Sequence, residues 1–193
     1  MAQAARMMVR TLATWVVLAT LAIGDARADD WDMTRAASHL EFVATYERTP
    51  VPGAFPAFDA RIRFDPSRLD DSRIDVDVDV ARADMHSADI NKAIMERDWF
   101  DVARFPRAAF HATSVRDAGP GRFVASGTLE LKGVTAPVDV PFTWTLDGAG
   151  AVMAGDLAID RAQFGIGQGE WAAGNVIGPR VNVKFSVALR HKG

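Results

Sequence analysis

The stretch Asp98–Val115, DWFDVARFPRAAFHATSV, joins two kinds of sequence pattern in one run. Upstream, SADINKAIMERDW (Ser87–Trp99) reads as a helix. Ser87 or Asp89 can accept from its first free N–H groups, and Ile90, Ile94 and Met95 form a narrow apolar stripe. Downstream of Pro106, Ala108, Phe110, Ala112 and Ser114 alternate with Ala109, His111, Thr113 and Val115, which is the period of a strand. Between and around them stand Trp99, Phe100, Phe105 and Phe110, each bringing roughly 150–250 Å² of surface that must be covered. The joint therefore predicts a short helix docked on the open mouth or face of a β-structure supplied by the rest of the chain.

The N-terminus has to be set aside before that structure is sought. Arg6 and Arg10 precede an apolar run, Thr11–Ile23, and Ala26-Arg27-Ala28 has the small-x-small form of a signal peptidase site. The run has 13 residues, short of the ~20 needed to span a bilayer. Residues 1–28 are expected to be a signal peptide, and residues 29–193 one exported domain, most simply periplasmic. Cleavage there takes 28 of the 193 residues and leaves 165; losing Arg6, Arg10, Arg27 and Asp25 moves the formal charge from −3 to −5. An acidic chain without clustered Lys and Arg does not suit nucleic acid. There is no cysteine, which rules out thiol catalysis, thiolate metal sites, disulfides and a lipoprotein anchor.

Period-two runs fill the remainder. Leu40, Phe42, Ala44 and Tyr46 make one apolar face, then Phe58, Ala60, Ile62 and Phe64, then Ile74, Val76, Val78 and Val80. TPVPGAFPAF, between the first two, reads as a loop or irregular edge because of its prolines and glycine. After the helix and Phe110 come Phe123, Ala125, Gly127, Leu129 and Leu131, followed by Val138, Val140, Phe142 and Trp144. Met153, Leu157 and Ile159 share a face, and Val181, Val183, Phe185, Val187 and Leu189 close the chain. Arg161–Pro179 is irregular and glycine-rich, anchored by Phe164, Ile166, Trp171 and Ile177. The row Asp75, Asp77, Asp79 is the polar face of a strand. As a calcium loop it would need Gly and Glu where Val80 and His86 stand.

Eight strands joined mostly by hairpin-length links favour an all-β, extended, eight-stranded antiparallel up-and-down barrel over a sandwich, with the helix between strands three and four. Such a barrel either fills its interior with side chains or holds one small ligand. Strands of about nine residues would give a tunnel of roughly 30 Å. Ala44, Ala60, Ala112, Ala125, Gly127 and Gly155 either leave room along its axis or offset the rings in a solid core, and pattern alone does not choose between these. Catalytic constellations are poor. His39, His86, His111 and His191 are scattered, no serine sits in a nucleophile elbow, and Gly165-Ile-Gly-Gln-Gly lacks the helix of a phosphate loop. No cofactor, metal or reaction is assigned.

Phe64-Asp65-Pro66, FDVARFPRAAF, GTLELKGVTAPVDVPF (Gly127–Phe142) and IDRAQFGIGQGEW (Ile159–Trp171), in this order, resemble the YceI-like family of periplasmic polyisoprenoid-binding proteins from about Ser38 to Leu189. The resemblance implies a lipocalin-like barrel with a helix over one end, and a pocket for a long isoprenoid such as a ubiquinone tail or polyprenyl phosphate. It also implies a binding protein, not an enzyme. Transient contact with a membrane or a membrane redox protein is expected, as monomer or homodimer. Candidate tunnel residues are Phe42, Tyr46, Phe58, Ile62, Phe64, Val76, Val78, Phe110, Leu129, Leu131, Phe142, Trp144 and Phe185 on strands. Trp99, Phe100, Phe105, Phe164 and Trp171 are the candidates near the ends. One departure stands out: many members open the first strand with His-Ser and carry a second histidine there, whereas this chain has Ser38-His39 and then Thr45, Tyr46, Glu47 and Arg48. Head-group contacts by those histidines are therefore not expected here. The other reading is a stress-response or adaptor protein with a filled core, acting through a protein partner.

Overall fold

The computed structural model describes residues 28–192, so the expected signal segment lies, except for Ala28, outside the described residues. Ten strands form one antiparallel sheet: β1 (Asp30–Met33), β2 (His39–Tyr46), β3 (Thr49–Ala54), β4 (Phe58–Arg63), β5 (Arg73–Asp79), β6 (Arg107–Asp117), β7 (Arg122–Leu131), β8 (Val134–Asp147), β9 (Gly150–Asp160) and β10 (Arg180–His191). The sheet closes on itself, because β10 pairs with β9 on one side and with both β1 and β2 on the other. β1 and β2 lie end to end along β10, broken by a 3-10 turn at Arg35–Ala37, and β3 and β4 lie end to end against them. They therefore count as two interrupted staves, and the whole is a closed eight-stranded antiparallel barrel, as the alternation predicts. No helix among the described residues is long and apolar enough to cross a membrane.

Two elements depart from the expectation. Asp30–Met33 is strand although DWDM is too short for its alternation to decide the matter; it is held by ladders to Ile62 on one side and to Arg190 and His191 on the other. Thr49–Ala54 is strand despite Pro50 and Pro52. Both prolines share parity with Ala54, whose N–H points away from β2 to the Asp84 carbonyl. The missing N–H groups are thus on the side of β3 that faces away from its ladder, the place where a strand tolerates proline. The β2–β3 hairpin turns through Glu47 and Arg48, both at positive φ, the backbone of a type I′ hairpin.

The helix, α1 (Ala88–Ile94), is shorter than the sequence suggests. The Ser87 hydroxyl accepts from the Ile90 N–H at 3.5 Å, and Asn91 hooks the helix to Asp84 and to the Met85 N–H. Past Ile94 the chain descends through turns instead, with the N–H groups of Phe100 and Val102 bonded to Ile94 and Met95. Ile94 is buried but Ile90 is exposed, so the expected apolar stripe is only partly covered.

Candidate functional site

The interior divides at one depth. Down β10, Val181, Val183, Phe185 and Val187 face a cavity, whereas Leu189 belongs to a solid core. Down β4 the change falls between Ile62, on the cavity, and Phe64, just past the strand's end and in the core; down β8 it falls between Val140 and Phe142. Period two places all of these residues inside, but only their depth decides whether they meet space or one another.

Below that depth the barrel is filled by rings. Phe64, 1% exposed, lies 5.0 Å from Phe123, 5.5 Å from Phe142 and 4.6 Å from Trp144 between ring centres. Trp31 meets Trp144 edge-on at 5.1 Å and donates its Nε1–H to the Phe64 carbonyl at 3.0 Å. Edge-to-face packing of this kind adds to the burial of each ring. Ala125, with no exposure at all, belongs to this core, whereas Gly155 makes room beside the cavity wall, where a Cβ would meet the Pro141 carbonyl and the Phe185 ring.

Above it lies a cavity of about 230 Å³ whose wall presents no polar surface. That exceeds the ~150 Å³ apolar cavity that holds a benzene. Ala44 and Ala60 face it and leave room in it. Among the expected tunnel residues, Phe42, Phe58, Ile62, Val76 and Val78 line it from the first three staves. Phe110, Leu129, Leu131 and Phe185 line it from the later ones, and Trp99 and Phe100 from the turn after α1.

The other candidates are placed elsewhere. Phe64, Phe142 and Trp144 form the floor, not the wall. Tyr46 shares parity with Phe42 but is 44% exposed, because it stands at the hairpin tip, beyond the core. Phe105 lies outside the barrel under the β7–β8 turn, where a Cβ on Gly133 (φ 73°) would strike its ring. Phe164 is fully buried behind the wall with Ala136 and Ile166. Trp171 stacks against Trp99 at 5.9 Å without reaching the cavity.

The mouth is bounded by α1, the turns after it and the Arg161–Pro179 segment. Phe42, Phe55 and Phe100 form a chain of rings there, at 4.8 Å and 6.1 Å. Arg161, 3% exposed, organises the glycine-rich segment. Its Nε donates to the Gly178 carbonyl (3.0 Å), one terminal nitrogen to Ile166 (2.7 Å) and Gly167 (2.9 Å), and the other to Trp171 (2.8 Å) and Ile177 (2.7 Å). All five guanidinium donors thus end on backbone carbonyls. Burial lowers its pKa from the ordinary value, with Asp160 opposing. Lys132 ties the same segment down, donating to the carbonyls of Gly165 (2.6 Å) and Arg97 (2.8 Å). Arg161 has no sequence signal beyond being a lone cation before a glycine-rich run. Phe55 is hidden in the proline-rich segment, and Met85 in the turn before α1.

On the outer face, Asp75 meets His111 Nδ1 at 2.8 Å and Asp77 meets Arg61 at 2.9 Å. His39 and His111 are exposed. Ser38, at the site of the departure in the first strand, is buried; its hydroxyl donates to the Thr34 carbonyl at 2.9 Å and accepts from the Ala188 N–H at 3.0 Å.

A family model described as "YceI-like domain" matches residues 31–189. A "UPF0312 protein" of Pseudomonas fluorescens is 30% identical over 174 residues, 82% of this chain and 88% of that protein. Another, of Shewanella denitrificans, is 36% identical over 90 residues, which is 47% of each chain. Among solved structures, Burkholderia cenocepacia BcnA superposes with a TM-score of 0.79 at 31% identity, over 81% of this chain and 99% of that one. A Saccharophagus degradans domain described as polyisoprenoid-binding gives 0.68 at 18% identity, over 85% and 99%, a likeness of fold.

Proposed function

The chain belongs to the YceI-like family, and from that premise we propose that it is a periplasmic binding or carrier protein for a long-chain isoprenoid lipid, of ubiquinone or polyprenyl phosphate type. The observation that carries this reading is the cavity with a wholly apolar wall, closed below and reached past Trp99, Phe100 and Phe55. A hydrocarbon needs nothing more: each methylene moved out of water contributes about 0.8 kcal/mol. The polyisoprenoid-binding description of the S. degradans domain, which shares the barrel, points the same way. A binder is preferred to an enzyme because the wall presents no titratable group beyond the stem of Arg161, whose donors are all engaged. The filled-core adaptor reading loses its premise in the upper half of the barrel. Its acidic row is partly spoken for as well, since Asp75 and Asp77 have cationic or histidine partners.

The test is native mass spectrometry of the protein purified from its exported form, with organic extraction of whatever travels with it. An adduct whose mass resolves into isoprene repeats is expected. No adduct, together with no uptake of an added long-chain quinone or isoprenyl alcohol, contradicts the reading.

A further inference from the structure

The floor gives the tunnel a fixed depth, and depth in an apolar tunnel is a measure of chain length. On β10 the cavity runs from Val181 to Val187, on β9 from Met153 to Ile159, and along β5 from Ile74 to Val80 just past its end, each six residue-to-residue steps. Six steps at ~3.3 Å are roughly 20 Å of strand, and with the usual barrel tilt of about 35–45° the axial depth is roughly 15 Å. The bottom is shut by Phe64, Phe142 and Trp144, which are 1–7% exposed and packed on one another. Extended chains advance about 1.2 Å per bond, so a four-bond isoprene repeat spans roughly 5 Å.

We propose that the aromatic floor acts as a ruler: the tunnel accepts about three isoprene units, and further units of a longer lipid remain at or beyond the mouth. This rests on the isoprenoid-binding reading above and adds to it the length of chain that is recognised and the residues that set it. Burial of an added unit strengthens binding only while the unit enters the tunnel. Affinity therefore climbs steeply with chain length and then stops climbing. Phe142 is the residue best placed to set the stop, because Val140, two positions above it on β8, still faces the cavity. Ala60, on the opposite part of the wall beside Ile62, is where the limit can be moved the other way.

Isoprenyl alcohols of two, three, four and five units, titrated into the delipidated protein with the fluorescence of Trp99 and its neighbours as readout, test this directly. Affinity is expected to rise by about tenfold or more per unit up to three units. It is then expected to change less than about threefold for the fourth and fifth. Phe142→Leu and Phe142→Ala are expected to move the break to a longer chain, and Ala60→Leu, which fills existing space, to a shorter one. The Ala60→Leu arm does not depend on a floor variant folding. A rise that continues unbroken through five units overturns the ruler, as does a break unmoved by Ala60→Leu. Failure of every alcohol to bind overturns the isoprenoid reading itself, which separates the two outcomes.

Discussion

The upper and lower halves of this barrel are made from the same staves with the same alternation, yet one is hollow and the other is solid. On β8, Val138 and Val140 face space, while Phe142 and Trp144 face other rings. On β4, Phe58, Ala60 and Ile62 line the cavity, and Phe64, just past its end, closes it. The difference is one of side-chain volume set against barrel radius. Five large rings (Trp31, Phe64, Phe123, Phe142 and Trp144) converge at one level, whereas at the other the rings of Phe42, Phe58, Phe110 and Phe185 stand around the wall among Ala44, Ala60 and aliphatic residues. The division of labour follows: the lower half stabilises the fold, and the upper half is left able to take up a ligand.

The largest way to break that contrast is Phe64→Ala. A ring with 1% exposure, touching three aromatic neighbours, should cost about 3–5 kcal/mol when truncated, read as a lower urea midpoint. Arg161→Gln comes next. It strips donors from the carbonyls of Ile166, Gly167, Trp171, Ile177 and Gly178. Since hydrogen bonds from a charged group contribute about 1.5–3 kcal/mol each and several are lost, a local loss of roughly 3 kcal/mol is expected. Hydrogen exchange should place it in residues 161–179, with the amides of β7 and β8 unaffected.

Phe110→Ala, in the hollow half, should cost only about 1–2 kcal/mol, because its ring already faces space on one side, while lipid affinity falls at least tenfold. If Phe110→Ala proves as destabilising as Phe64→Ala, the two halves are energetically alike and the contrast fails.

The smallest effect sharpens the boundary at the end of β4. Asp65 accepts from the Ser67 hydroxyl (2.7 Å) and N–H (2.8 Å), then from Arg68, and these hold its carboxyl below the ordinary 3.8. A carboxylate depressed on folding contributes stability that is complete above the unfolded-state pKa and is lost as pH falls through the folded one. Asp65→Asn should therefore cost about 1 kcal/mol at pH 7, and the difference from the parent should shrink as the pH drops below about 4. A constant difference across that range would show that the charge is not what matters.

The staves were legible in the sequence because alternation is a local property. So were the place of the helix between the third and fourth staves and the inward parity of Phe42, Phe110 and Phe185. Depth was not legible. Phe64 and Ile62 differ by one step of the period, and nothing in that period says that one closes the tunnel and the other lines it. Tyr46 kept the inward parity after the strand had run past the core, so its ring met solvent. β1 and β3 escaped for opposite reasons. Asp30–Met33 is too short for its alternation to decide the matter and is strand because both neighbours pair with it. Thr49–Ala54 carries prolines that argue against a strand unless one knows that they sit on the side away from its ladder. Phe105 and Trp171 are apolar anchors of the surrounding turns, which sequence cannot tell from anchors of the tunnel.

The central claim is that the hollow half is the ligand site, and melting temperature in the presence and absence of a three-unit isoprenyl alcohol tests it most directly. A ligand that binds only the folded state raises the melting temperature by mass action. The parent protein should show a clear rise, and Ala60→Phe, which fills the cavity without touching the floor or the outer surface, should show little or none. Equal rises in both proteins, or none in the parent, would contradict the account.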